Sequence, residues 1–152
     1  MPLLNENRRD VVCPDQPIDY QTALQISLQI GCQILALAER NLCIPIVTPS
    51  LILQNKNGEF ILNPSSYVEL AIDKTYKISS KDDIYEDKTY LPPEMLKKIS
   101  DNYSYTTSLY SLAVSVLKLL DMNLENLEPT KLFYLLKRCL RKNPKDRLFL
   151  YV

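Results

Sequence analysis

Four acidic side chains crowd one stretch of this chain: Asp82, Asp83, Glu86 and Asp87. Carboxylates are the ligands that Mg²⁺ and Ca²⁺ take. This run lacks the glycine and the regular ligand alternation of a calcium loop, so it reads as solvated surface. A second concentration has the opposite sign: Lys131, Lys137, Arg138, Arg141, Lys142, Lys145 and Arg147 against Asp146. Such a patch can neutralise phosphates, which makes salt-dependent nucleic-acid binding one functional reading. The plainer reading is the outer face of an amphipathic helix. The four cysteines, Cys13, Cys32, Cys43 and Cys139, form no Cys-x-x-Cys pair, and the chain has no histidine. A zinc site would therefore need an unusual ligand set. The commonest general base and every Ser–His or Cys–His nucleophile are also excluded. Cys32 and Cys139 fall in apolar helical patterns and are expected to be small buried residues. The two glycines, Gly31 and Gly58, stand apart, so no phosphate-cradling loop can form. Tyr85, Thr89 and Tyr90 are hydroxyls open to phosphorylation if their loop is exposed.

The composition bounds the rest. With 152 residues, 46% hydrophobic and 24% charged, the chain is long enough for one domain with an ordinary core. Formal net charge is zero, so no global field drives it toward nucleic acid or anionic lipid. No secretory segment opens the chain, where Asn5 to Asp10 is polar, and no run is apolar enough to span a membrane. The expected location is intracellular and cytoplasmic. No cofactor and no metal are expected.

These residues need elements to hold them. The most organised stretch is Thr106 to Leu120, where Leu109, Leu112, Ala113, Val116, Leu117 and Leu120 follow helical spacing. Val114, Leu119 and Tyr110 lie outside that stripe, which predicts a helix buried over most of its circumference. Thr106, Thr107 or Ser108 is the expected cap, offering an oxygen to the first backbone N–H groups. Leu24 to Ile30 alternates like a strand. However, Gln21, Gln25, Gln29 and Gln33 recur every four residues, which predicts one helix over 21–41. Ahead of it, residues 1–20 read as an extended arm. Pro45 and Pro49 bar a helix between Cys43 and Leu51. Leu51 to Gln54 and Glu59 to Leu62 flank a turn in which Gly58 supplies positive φ, a short hairpin. Val68 to Ala71 suits a short strand, and Glu94 to Ser100 one or two helical turns after Pro92-Pro93. Pro129 suits the first position of a last helix, with Leu132, Leu135, Leu136, Cys139 and Leu140 on its apolar face.

In this order the chain resembles the C-terminal lobe of protein kinases over 21–151. Tyr90-Leu-Pro-Pro-Glu94 resembles the Tyr-x-Ala-Pro-Glu that ends the family's activation segment. Tyr105-Thr-Thr-Ser-Leu-Tyr-Ser-Leu-Ala-Val114 is similar to the start of its central helix, and Cys139-Leu-Arg-Lys-Asn-Pro-Lys-Asp-Arg147 to its Cys-Leu-x-x-(Asp/Asn)-Pro-x-x-Arg. The resemblance implies a buried ion pair between Glu94 and Arg147. It also implies that the chemistry is gone. Thr48-Pro-Ser-Leu-Ile-Leu53 resembles the family's Lys-Pro-x-Asn-Ile-Leu. Ile46 then stands at the catalytic base, Thr48 at the phosphate-contacting lysine and Leu51 at the metal-binding asparagine. Pro64 falls where Asp-Phe-Gly would hold magnesium. Phosphoryl transfer needs a metal-holding carboxylate, a base and cations on the phosphates, and these side chains supply none of them. Ser108 stands where the family's aspartate tethers the catalytic loop, which implies a helix that has released that loop. The stretch before Gln21 has no room for an N-lobe with its Gly-rich loop and strand lysine.

The kinase non-catalytic C-lobe domain, KIND, is similar in lacking the same parts, and a kinase that degenerated independently fits the residues about as well. Its Pro-x-Ser-Leu-Leu-Leu hairpin and Tyr-Ser-Leu-Gly helix resemble Thr48 to Leu53 and Tyr110 to Ala113. The expectation is a mainly α, kinase C-lobe-like helical domain over 21–152 with a small β-hairpin and no N-lobe. Its implied function is a non-catalytic pseudokinase scaffold that binds a protein partner through a peptide segment or domain. A decoy that engages a true kinase or its substrate is a variant of this reading.

Overall fold

The computed structural model describes residues 8–11, 16–63, 67–78, 87–97 and 102–150. Helix α1 spans Tyr20–Glu39. Asp19 caps it, its carboxylate accepting the Thr22 N–H at 2.8 Å. The strand-like alternation at its start thus resolves as a helix, with Ala23, Ile26, Ile30, Ile34 and Ala38 on one buried face. At its end Asn41 takes a left-handed conformation, and Lys74 Nζ reaches in to bond Ala38 O at 2.8 Å and Asn41 Oδ1 at 2.7 Å.

Strand β2 (Leu42–Cys43) follows, then the hairpin of β3 (Ile52–Asn55) and β4 (Phe60–Leu62), strands β5 (Val68–Glu69) and β6 (Thr75–Lys77), and helix α2 (Pro93–Lys97). The hairpin turn has Gly58 at φ 82°, the positive value its position requires. After β7 (Asn102–Ser104) comes the central helix α3, Thr107–Leu120. Helix α4 covers Lys131–Cys139, capped by Thr130 rather than opened by Pro129, which lies one residue further out.

The strands make three small antiparallel sheets. Their orders are β1-β3-β4, β2-β5 and β6-β7, where β1 is Arg8–Val11. The arm expected over 1–20 therefore contributes a strand, paired with β3 through an irregular register. The architecture is mixed α and β rather than mainly α with a single hairpin. The strands not expected from the sequence, β2, β6 and β7, have only two or three residues and carry no readable alternation, because one period of a strand is already two residues. The outer edge of β4 is closed by side chains. Gln29 Oε1 accepts from Phe60 N, Gln33 Nε2 donates to Phe60 O, and Gln33 Oε1 accepts from Leu62 N, all within 2.9 Å. Two of the glutamines spaced by four thus act as a substitute strand and remove an edge open to further pairing.

Helix α3 packs against α1 and α4, and most of its side chains are buried. Each of Leu109, Leu112 and Val116, sealed from water, stabilises the fold by about 1.5–3 kcal/mol. A second apolar cluster lies at its N-terminal end, built from Ala38, Cys43, Ile46, Leu70, Tyr76, Leu91, Met95 and Tyr103. No helix among the described residues is long and apolar enough to cross a membrane.

Candidate functional site

The loop between β2 and β3 runs along the first three turns of α3, and small hydroxyls join them. Thr107, Ser108, Ser111 and Ser115 are all buried, on a helix that is otherwise apolar on that side. Thr107 Oγ1 donates to Pro45 O at 2.9 Å and Ser108 Oγ to Ile44 O at 2.6 Å. Ser111 Oγ accepts the Val47 N–H at 2.7 Å, and Ser115 Oγ donates to Val47 O at the same distance. Every hydroxyl in this ladder is committed. Thr107 spends its one proton on Pro45, so the Tyr76 hydroxyl donates to Thr107 at 2.5 Å. Ser108 likewise spends its own on Ile44, so the Cys43 thiol, 3.2 Å away, donates to Ser108. No buried side-chain nitrogen or oxygen among the described residues lacks a partner.

Two expectations are corrected here. Thr106, Thr107 and Ser108 do not cap α3, since no side chain accepts from its first N–H groups. Thr107 and Ser108 point away to the loop, and Thr106 Oγ1 donates to Pro144 O at 3.1 Å. Nor has the helix released the loop at Ser108. It grips the loop through hydroxyls that donate to carbonyls.

The side chains in that loop are placed as follows. Ile46 is 5% exposed and packs into the second apolar cluster. Val47 is fully buried in the main core. Thr48 Oγ1 shares a hydrogen bond with Ser50 Oγ at 2.8 Å, and Leu51 lies against the main core in a single 3₁₀ turn, Pro49–Leu51. Pro64 lies outside the described residues. No three acidic or cysteine side chains among the described residues come together to hold a metal. Of the acidic stretch at 82–87, Asp87 alone is described. It is exposed, and its carboxyl is held below the usual range by hydrogen bonding from Thr89.

The structure brings Glu94 and Arg147 together from opposite ends of the second half. Arg147 Nη1 and Nη2 donate to the two Glu94 carboxylate oxygens at 2.6 and 2.7 Å, a bidentate pair. Arg147 is 2% exposed, its Nε donates to Arg141 O at 2.8 Å, and its guanidinium lies 5.0 Å from the Tyr110 ring centroid. Helix α2, the central helix and the final segment are thereby locked into one unit.

The thiols divide. Cys32 is exposed on α1, not buried as its pattern suggested, because it falls on the solvent side of the helix. Cys43 and Cys139 are buried, and burial pushes their thiols up, to about 11 and about 12. Neither has nucleophilic character near neutrality. Burial also raises the Tyr105 phenol.

The ladder leaves a trace in the sequence. Ser111 and Ser115 were visible as polar positions in an apolar helix, and with Thr107 they recur every four residues along one face. What no pattern could supply was the loop on the other side. No protein-family model and no curated protein matches this sequence.

Proposed function

We propose that this chain is a non-catalytic protein-interaction module on a kinase C-lobe-like scaffold of the KIND type. One observation carries the reading. Ile46, at the position of a catalytic base, is buried among apolar side chains, while the polar backbone around it is consumed by the hydroxyls of α3. A loop arranged this way has no carboxylate to orient a hydroxyl and no cation for a phosphate. The bidentate Glu94–Arg147 pair, flanking a buried helix, supports the family frame. What such a scaffold offers is surface, and its function is to bind a segment or domain of a protein partner.

Thermal unfolding with and without ATP and Mg²⁺ tests the absence of a nucleotide site, alongside phosphotransfer to a generic substrate. Unchanged melting and no transfer are expected. Nucleotide-dependent stabilisation, or any labelled product, sinks the reading. The decoy variant gains ground if an active kinase binds the purified chain directly.

A further inference from the structure

We infer that the outer face of α4, together with the C-terminal segment beside it, is a docking surface for an acidic peptide carrying a bulky apolar side chain. This rests on the interaction-module reading and names its partner class. The face combines two features that a merely solvated helix does not need together. The first is an exposed aromatic ring braced by a buried one. Tyr134 is 44% exposed, and its ring stands edge-on to Phe133 at 5.0 Å, with the Lys137 ammonium 5.5 Å from the Phe133 centroid. Arg138, one turn on from Tyr134, donates to Leu150 O at 2.8 Å, which brings the exposed Leu150 alongside.

The second feature is positive charge with no carboxylate partner among the described residues. Lys137 and Arg141 are exposed, and neither pairs with an acidic group among the described residues. Their positive potential favours carboxylates on a partner and repels basic segments. The apolar side chains decide between partner classes. Tyr134 and Leu150 add little to contacts with a phosphate backbone, whereas a leucine or phenylalanine can pack against both while flanking carboxylates meet Lys137 and Arg141.

Fluorescence anisotropy with three labelled probes tests this on the full chain. They are a Glu-rich peptide with one leucine and one phenylalanine, a matched Glu–Gly peptide, and a single-stranded oligonucleotide of equal charge. The first is expected to bind best. The pair Lys137→Glu with Arg141→Glu should weaken it by about tenfold or more, and Tyr134→Ala by about threefold to tenfold. Both changes lie at exposed positions, so unaltered circular dichroism and melting confirm an intact fold. Equal binding of the two peptides, tighter binding of the oligonucleotide, or no binding at all overturns the docking surface. None of these touches the interaction-module reading, which the nucleotide assay tests separately.

Discussion

Ser108 is the position at which the hydroxyl ladder can be tested against a carboxylate. The residue is 1% exposed, and its hydroxyl donates to the Ile44 carbonyl at 2.6 Å. Ser108→Ala removes that donor and leaves a buried acceptor unsatisfied, costing about 1–3 kcal/mol. Ser108→Asp introduces the side chain that the proposed kinase-like frame would place there. An ionised carboxylate only accepts, and here it would face the Ile44 carbonyl with the Cys43 thiol as its nearest donor. Burial and that facing oxygen both raise the introduced carboxyl's pKa in the folded state. A shift of roughly 3 units corresponds to about 4 kcal/mol near neutral pH, a large share of the 5–15 kcal/mol typical of a domain. The sign with pH follows. A raised folded-state pKa leaves stability intact below the unfolded value and removes it as pH climbs through the folded one. Urea unfolding monitored by circular dichroism should therefore find Ser108→Asp less stable than Ser108→Ala near neutrality, with the gap narrowing at about pH 5. A Ser108→Asp protein at least as stable as Ser108→Ala near neutrality would refute the reasoning. The loop would then be presenting donors to the helix.

Further outcomes follow from other contacts. Glu94→Ala should cost about 3–5 kcal/mol by stranding the buried Arg147 cation, and Arg147→Met less, because Glu94 is 19% exposed and can recruit water. Equal costs in denaturant unfolding would count against that asymmetry. Both buried thiols ionise above their ordinary 9.0, at about 11 for Cys43 and about 12 for Cys139, so their contribution to stability is complete below pH 9 and declines above it. Cys43→Ala should flatten that alkaline decline in the urea midpoint, and an unchanged slope would assign it to other groups. Alkylation near neutral pH with peptide mapping should label Cys32 quickly, while Cys43 and Cys139 stay protected until the chain unfolds. At Gly31 an added Cβ would intrude on the Phe149 ring, so Gly31→Ala should gain the helical preference of about 1 kcal/mol only in a Phe149→Ala background. An equal gain in the native background, read from melting temperatures, would show that the ring yields freely.

Much of the helical framework was legible because it obeys a local period. The apolar positions of α1, α3 and α4 recur at helical spacing, and that repetition survives whatever packs against it. The hairpin was legible for a related reason, since Gly58 answers a local φ requirement. A short strand at β5 was legible too, but β2 and its pairing with β5 were not, because each partner lies elsewhere in the chain and supplies the structure. Cys32 misled because an apolar neighbourhood in sequence says nothing about which side of the helix a residue occupies.

At the site the division is sharper. The sequence by itself determined residue types: an isoleucine, a threonine and a leucine at Ile46, Thr48 and Leu51, and serines on an apolar helix. It also carried the two halves of the Glu94–Arg147 pair, although their meeting rested on resemblance. Tertiary structure alone decided what the serines are for. A hydroxyl both donates and accepts, so its role is set by whichever group stands opposite. Here that group is a loop more than sixty residues away, whose carbonyls turn candidate helix caps into a clamp.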